Sequence, residues 1–264
     1  MAGFLIVNPR SGDESGTGDL LEAAEARGVR THVFRPGEDL AELARSAPHG
    51  PIGIAGGDGS LAPVAAVALE RGAPFVCVPF GTRNHFARDL GLDRDDPIAA
   101  LDAFVGGDER RIDVGRANGR IFVNNVSLGL YARLVHRREH HRRRSEALAR
   151  VRALAILVQH PHPIGIAVDG KPVRARVVLV ANNSYNLELF SPGERERLDE
   201  GCLHLYAAGG LVPAAWEERK GGRFTVDARA GRLDAAVDGE PGELETPIEF
   251  RVEPGALRVL VPAR

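Results

Sequence analysis

At 264 residues and a formal net charge of −2, the chain has room for one large domain or two of ordinary size. Apolar residues make up 44% and charged residues 27%, which excludes a disordered or low-complexity chain and supports a packed core. The two cysteines, Cys77 and Cys202, form no CxxC and have no neighbouring histidine suited to zinc, so neither a disulfide framework nor a zinc site is expected.

A buried strand over 4–7 runs into Asn8-Pro9-Arg10-Ser11-Gly12. A helix over about 19–26, a strand over 29–34 and a helix over about 40–47 come next. A strand over 52–55 ends abruptly in Gly56-Gly57-Asp58-Gly59-Ser60, before a helix-compatible run over 61–69. The next strand, 75–78, is broken by Pro79-Phe80-Gly81-Thr82-Arg83-Asn84, and helices lie around 86–90 and 97–104. This alternation predicts a doubly wound, mostly parallel sheet. The pattern changes at a boundary near Gly115–Gly119. Apart from a long basic helix over about 131–159, the remainder of the chain reads as short antiparallel strands. These are 164–168, closed by an Asp169-Gly170 hairpin signal, then 173–181, 203–208, 223–228 and 233–237. The fold class is therefore α/β plus β. An α/β domain spans 1–115 and an antiparallel, sandwich-like β domain spans 116–264, with the cleft between them as the default site.

Three loops lie at the C-terminal ends of predicted parallel strands, the edge at which open α/β sheets bind ligands. Free backbone N–H groups and a positive helix end suit phosphate, and glycine removes the Cβ that a close anion would strike. Asp58 would repel phosphate unless a cation bridges them, so it points to Mg²⁺ or to an acid–base task. The chain has no GxxxxGK[ST] and no HRD or DFG set, which excludes the P-loop and protein-kinase plans. Its lysines, Lys171 and Lys220, lie outside the loops, leaving Arg10 and Arg83 as candidate phosphate cations.

The segments Asn8 to Gly12, Gly56 to Ser60 and Pro79 to Arg88 resemble three signature motifs of the diacylglycerol kinase catalytic-domain family. That family includes bacterial lipid kinases and sphingosine kinases and is more distantly related to NAD kinases. Ile112-Asp113-Val114-Gly115, Asn124 to Gly129, Leu198-Asp199-Glu200-Gly201 and Val237-Asp238-Gly239-Glu240 match further family segments in the same order. The resemblance implies an ATP- and Mg²⁺-dependent kinase that phosphorylates a lipid hydroxyl, most readily diacylglycerol or a related lipid. It implies a nucleotide-binding first domain and a lipid-binding second domain, with the extreme C-terminus packing back on the first. Carried over residue by residue, Asn8, Pro9, Arg10, Ser11, Gly12, Gly56, Gly57, Asp58, Gly59, Ser60, Gly81, Thr82 and Asn84 hold the nucleotide. Asp58, Asp113 and Glu200 are candidate Mg²⁺ ligands. Glu240 matches the proton acceptor of bacterial lipid kinases, and Asp58 matches the aspartate favoured for that task in sphingosine kinases. Two departures stand out: His85 replaces the aspartate of many members, and Asn186 to Phe190 replaces a glycine-rich run beside the acceptor pocket. Glu200 also stands where the family has a second aspartate.

Between Tyr131 and Arg152, eight arginines face Glu139 and Glu146, a local charge of +6 in a chain of net −2. This predicts a patch for anionic lipid headgroups, each near-surface cation contributing ~1 kcal/mol. Nucleic acid is not an expected partner, because no aromatic residues are interleaved; a homodimer is left open. No stretch approaches the ~18 apolar residues of a spanning helix, and the start shows no basic leader. A cytoplasmic protein peripheral to the membrane is expected. Two other readings stand beside the lipid kinase: a NAD kinase-like enzyme with a soluble substrate, and a non-catalytic nucleotide- or lipid-binding member of the family.

Overall fold

The computed structural model describes residues 3–11, 14–82, 84–129, 163–188, 191–209 and 216–263. Gly12, Arg83 and the predicted basic helix with its arginines lie outside the described residues. The chain divides into two compact units, one of Met1–Asp113 with Pro254–Arg264, the other of Val114–Glu253.

In the first unit, β1 (Phe4–Val7), β2 (Arg30–Val33), β3 (Ile52–Gly56) and β4 (Phe75–Pro79) form a parallel sheet in the order β2-β1-β3-β4. The end of the last strand joins it in parallel, Val259 and Leu260 opposite Phe75 and Val76. β1, β3 and β4 are buried along their whole length, as expected of parallel strands covered on both faces. Because side chains alternate, Leu5, Val7, Ala55, Val76 and Val78 face one side. There they meet Leu20 and Ala24 of α1 (Glu14–Ala26) and Ala100 of α5 (Pro97–Ala100). On the sheet α3 (Leu61–Glu70) packs against β3 and β4, and α2 (Leu40–Arg45) packs against α3. Asp39 caps α2, its Oδ1 accepting from Ala41 N at 2.7 Å and Glu42 N at 3.0 Å. α4 (His85–Asp89) comes after β4. The helix predicted over 97–104 is two short ones, α5 and α6 (Ala103–Gly106), because the chain turns at Leu101 to bury that side chain completely.

β5 (Asp108–Ala117) carries the chain into the second unit, and β6 (Arg120–Phe122) pairs back on it. Next come β7 (Asn125–Gly129), β8 (Ile164–Val168), β9 (Lys171–Ala175), β10 (Val177–Asn182), β11 (Leu187–Glu188) and β12 (Ser191–Pro192). The last six are β13 (Leu203–Ala208), β14 (Trp216–Gly221), β15 (Arg223–Ala228), β16 (Arg232–Val237), β17 (Glu240–Glu245) and β18 (Ile248–Val261). One antiparallel sheet runs β14-β13-β10-β7-β16-β17. The start of β18 pairs with β15, β15 with β8, and β8 with β9. Val126, Val180, Leu205 and Val237 of the first sheet share a core with Val168, Phe224, Val226 and Phe250 of the second set, the arrangement of a β-sandwich. Among the described residues, no helix is long and apolar enough to cross a membrane.

The single strand predicted over 173–181 is β9 and β10, which pair in different sheets. At the switch Arg176 N donates to Ala208 O at 2.8 Å. Both strands bury residues in the same core, so the apolar run passes the switch without a break. Gly115–Gly119 is the end of β5 and a two-residue hairpin turn, with Asn118 and Gly119 at φ 47 and 84.

Gly115 lies directly opposite Phe122, and a Cβ there would fall 2.2 Å from the Phe122 ring. That ring sits edge-on to Phe250, centroids 6.4 Å apart. Gly115→Ala should therefore lower unfolding free energy by about 1–3 kcal/mol. Adding Phe122→Leu should recover most of the loss in urea titrations; no recovery would place the strain elsewhere.

Candidate active site

The three loops at the end of the parallel sheet are tied to one another through backbone and short polar side chains. Asn8 Nδ2 donates to Ser60 Oγ at 3.0 Å, linking the first loop to the second. Asn8 also orders its own loop, its Oδ1 accepting from Arg10 N at 3.2 Å and its carbonyl from Ser11 N at 3.2 Å. Gly56 makes room for Ser60, whose Cβ and Oγ would lie 3.1 Å from an added Cβ. Gly81 meets the second loop backbone to backbone: a Cβ there would fall 2.6 Å from Gly57 Cα and 3.0 Å from Gly57 N. A Cβ on Gly57 would meet Gly81 Cα at 3.8 Å and Ser11 Oγ at 3.9 Å, so all three loops border the space above that glycine.

Asp58 opens a 3-10 turn, Asp58–Ser60, that leads into α3. Its carboxylate is half-buried and already in use: Oδ2 accepts from His85 N at 3.2 Å and Oδ1 from Phe86 N at 3.1 Å. The N-cap residue of α4, Asn84, supplies no side-chain cap of its own. Asp58 performs that task from the neighbouring loop, where its charge also favours the helix N-terminus. Asn84 is buried in the left-handed region at φ 48, and its Nδ2 donates to Gly81 O at 2.8 Å. Among the described residues its buried Oδ1 finds no donor. Thr82 and Arg10 are exposed at the rim. Cys77, under the second loop, is inert: burial, then the charge of Asp58, pushes its thiol far up. Asp113 is buried and accepts from Gly255 N at 2.8 Å, which ties β5 to the returning C-terminal strand.

In the second unit, Asp238 and Gly239 make the turn between β16 and β17, at φ 49 and 85. Glu240 starts β17 and is exposed, whereas Asp238 turns inward and is buried. Asp238 Oδ2 accepts from Val123 N at 2.8 Å, and Oδ1 from Asn124 N at 2.8 Å and Asn125 N at 3.0 Å. Arg195, also buried, holds the same segment by its carbonyl and side chain: Nη1 donates to Val123 O at 2.7 Å and Nη2 to Asn124 Oδ1 at 2.6 Å. Its guanidinium lies 5.2 Å from the Tyr185 ring centroid. Burial pushes Asp238 up from 3.8 to about 6, against the three backbone donors and the Arg195 charge.

Glu200 sits beside Cys202 and His204, its Oε2 lying 2.9 Å from His204 Nε2 and accepting at 3.5 Å from Cys202 Sγ. Burial works against its charged form, yet the hydrogen bonds from His204 and Cys202 hold its carboxyl below the usual range. Burial and then Glu200 push the Cys202 thiol up. The expectation that neither cysteine has a neighbouring histidine suited to zinc is thus corrected. In extended chain residues i and i+2 share a face, which sets Cys202 Sγ 3.4 Å from His204 Nε2.

The three loops lie in a part of the chain that is similar to known proteins. The model of the family described as "Diacylglycerol kinase catalytic domain" matches residues 2–117. Residues 2–117, which carry all three loops, are thus similar to that family's catalytic domain. A diacylglycerol kinase of Bacillus subtilis is 32% identical over 142 residues, covering 50% of this chain and 47% of its own length. The match to a Staphylococcus saprophyticus diacylglycerol kinase likewise spans about half that protein, 44%. A Pseudomonas aeruginosa protein named probable lipid kinase YegS-like is 29% identical over 253 residues, 85% of this chain and 80% of that protein. A Bacillus anthracis crystal structure titled as a diacylglycerol kinase superposes with a TM-score of 0.72 at 20% identity, covering 98% of this chain and 96% of that one.

Within the matched residues, the described members of the predicted nucleotide set fall on the three joined loops, with Gly12 outside the described residues. Asp113 has its own hydrogen bond to the C-terminal strand. Arg195, which holds the 123–125 segment, went unnoticed in the sequence. Arg195 stands in a charged stretch, Glu194-Arg195-Glu196-Arg197, where nothing in the order of residues marks one arginine as buried.

The raised Asp238 carboxyl sets a sign for pH dependence. The folded protein holds this proton up to pH about 6, the unfolded chain only to 3.8, so the stabilisation from protonation is present below 3.8 and lost as pH rises through 6. Unfolding free energy of wild type minus Asp238→Asn should therefore fall by a few kcal/mol, roughly 3, across that window and stay level above it. A difference that rises with pH would show a carboxylate charged throughout.

Proposed function

We propose that this protein is an ATP- and Mg²⁺-dependent lipid kinase that transfers the γ-phosphoryl group to the hydroxyl of diacylglycerol or a related lipid. The observation that carries this reading is the closure of three loops around Gly57, with Asp58 held in place by two backbone N–H groups. Phosphoryl transfer asks for positioning and charge stabilisation more than for covalent chemistry, and rigid loops supply positioning. The space above Gly57 suits a phosphate: a Cβ would occupy it, and the hydroxyls of Ser11 and Ser60 lie beside the loop backbone. Asp58 fits a Mg²⁺-bridged phosphate, since each carboxylate oxygen keeps lone pairs beyond the one given to α4. When bound, Mg²⁺·ATP supplies the transferable phosphoryl group and neutralises its charge.

The proton acceptor is assigned to Glu240, exposed on a turn that buried Asp238 anchors. Asp238 itself has its oxygens taken by three backbone donors. A lipid acceptor is supported by the names of the related proteins. The enzyme is assigned to the membrane surface, drawn there by the +6 charge of residues 131–152.

The test is radiolabelled ATP with diacylglycerol in mixed micelles. Label is expected in the lipid phase; label entering a soluble nucleotide, or none transferred, overturns the reading. Asp58→Asn should lower kcat by at least about 100-fold, a barrier increase of ~2.7 kcal/mol. It should also lower the melting temperature slightly, because an amide N–H would then face a backbone N–H of α4. Retention of kcat within about tenfold would remove Asp58 from the phosphate site. On anionic vesicles, Arg142, Arg143 and Arg144 replaced by Gln should give at low salt the rate that wild type shows at ~1 M salt, where charges are screened beyond ~3 Å. Equal salt profiles for the two proteins would remove the arginines from recruitment.

A further inference from the structure

Apart from the phosphate loops, one cluster in the second unit has the donor types and spacing of a different metal. We propose that Glu200, Cys202 and His204 form a Zn²⁺ site, with Glu218 orienting the histidine. The three ligand atoms are already close. Cys202 Sγ is 3.4 Å from His204 Nε2 and 3.5 Å from Glu200 Oε2, and His204 Nε2 is 2.9 Å from Glu200 Oε2. Zinc bonds of ~2.3 Å to sulfur and ~2.0–2.1 Å to nitrogen or oxygen, at tetrahedral angles, place the donors about 3.6, 3.6 and 3.3 Å apart. The triangle needs to open by only a few tenths of an ångström.

Strand geometry builds this triangle. Cys202, His204 and Tyr206 alternate on one face at the start of and along β13, and the His204 and Tyr206 rings stack at 6.1 Å. Cys202 and His204 are buried, so the donors are not a chance gathering of surface groups. The register pairs His204 with Lys220 and Tyr206 with Glu218, which sets Glu218 diagonally across from His204. Glu218 Oε1 lies 2.6 Å from His204 Nδ1. A carboxylate on Nδ1 assigns the proton to that nitrogen and leaves Nε2 as ligand, the usual second partner of a zinc-bound histidine. Asn183 Oδ1 accepts from Glu200 N at 3.0 Å and holds the backbone of the carboxylate ligand.

Charge agrees. Two carboxylates and a thiolate give −3, which Zn²⁺ and the Lys220 ammonium, 3.8 Å from Glu200 Oε2, bring to zero. Lys220 is exposed on a long stem and retains room to move as the ion enters. Thiolate and imidazole are poor ligands for Mg²⁺, so this role differs in kind from the Mg²⁺ contact that the family resemblance implies for Glu200. Three protein ligands leave a fourth position for water or another donor.

The test uses the full chain, freed of metal with a chelator and titrated with Co²⁺. One equivalent should produce a near-ultraviolet thiolate-to-cobalt band and tetrahedral visible bands, bleached by one equivalent of Zn²⁺ and untouched by a large excess of Mg²⁺. Cys77→Ala should keep the band and Cys202→Ala should lose it, with far-ultraviolet circular dichroism confirming the fold. His204→Gln should weaken Co²⁺ at least tenfold. In wild type, Zn²⁺ should protect Cys202 from alkylation, which requires no variant to fold. Absence of the thiolate band, its persistence in Cys202→Ala, its loss to Mg²⁺, or alkylation unaffected by Zn²⁺ would each leave only a Glu–His–Glu hydrogen-bond network. None of these readouts depends on kinase activity.

Discussion

The backbones of Gly57 and Gly81 touch, and the candidate active site depends on that contact. A Cβ on Gly81 has nowhere to go, lying 2.6 Å from Gly57 Cα. With the two loops this close, the Asp58 side chain can reach the start of α4, and His85 N and Phe86 N close on its carboxylate. Asn8 completes the closure by reaching Ser60 from the first loop. The chain's own backbone and side chains thus hold the three loops against one another. A site that handles phosphate gains from such preorganisation, because the donors need no rearrangement as charge develops.

Much of the first unit was legible because its signals are local. An all-apolar strand followed by glycine, aspartate and serine says strand, turn and helix start without reference to the rest of the chain. What stayed hidden depends on distant partners. Asp58 reads as a loop aspartate awaiting a cation, and only the fold reveals that it caps a helix 27 residues on. The edge strands β14 and β17 were missed for the opposite reason. Their Glu-Glu-Arg-Lys and Glu-Pro-Gly-Glu sequences resemble loops, since edges carry charge and proline where central strands carry Val and Ile. Cys202 and His204 do not read as a metal pair in the sequence, because only a strand brings the side chains of positions two apart onto one face.

The second unit places a network of charged and polar groups in a β-sandwich core, which is costly unless each member is satisfied. Here the segment 123–125 is grasped from two sides: Asp238 takes its three N–H groups and Arg195 takes a carbonyl and a side-chain oxygen. An aspartate suits this turn twice over. It tolerates the positive φ that a two-residue hairpin demands, and its two oxygens serve donors that a serine would leave partly unmet. The result is an exposed Glu240 on a turn whose neighbour is anchored in the core, so a surface carboxylate inherits the position of a buried one.

The two units also differ in the hardness of what they offer a cation. Around Asp58 the donors are carboxylate, hydroxyl and backbone, all oxygen or N–H, with Cys77 buried beneath and its thiol held protonated. Around His204 they are sulfur, nitrogen and one carboxylate, already within bonding range of a common centre. Affinity alone would send Zn²⁺ ahead of Mg²⁺ at almost any site, so separation of the two must come from donor type and geometry. Oxygen donors of this kind suit a hard cation such as Mg²⁺. A sulfur-containing triangle on a β-strand offers a tighter and more permanent hold, which suits a brace for the loop that carries Glu200.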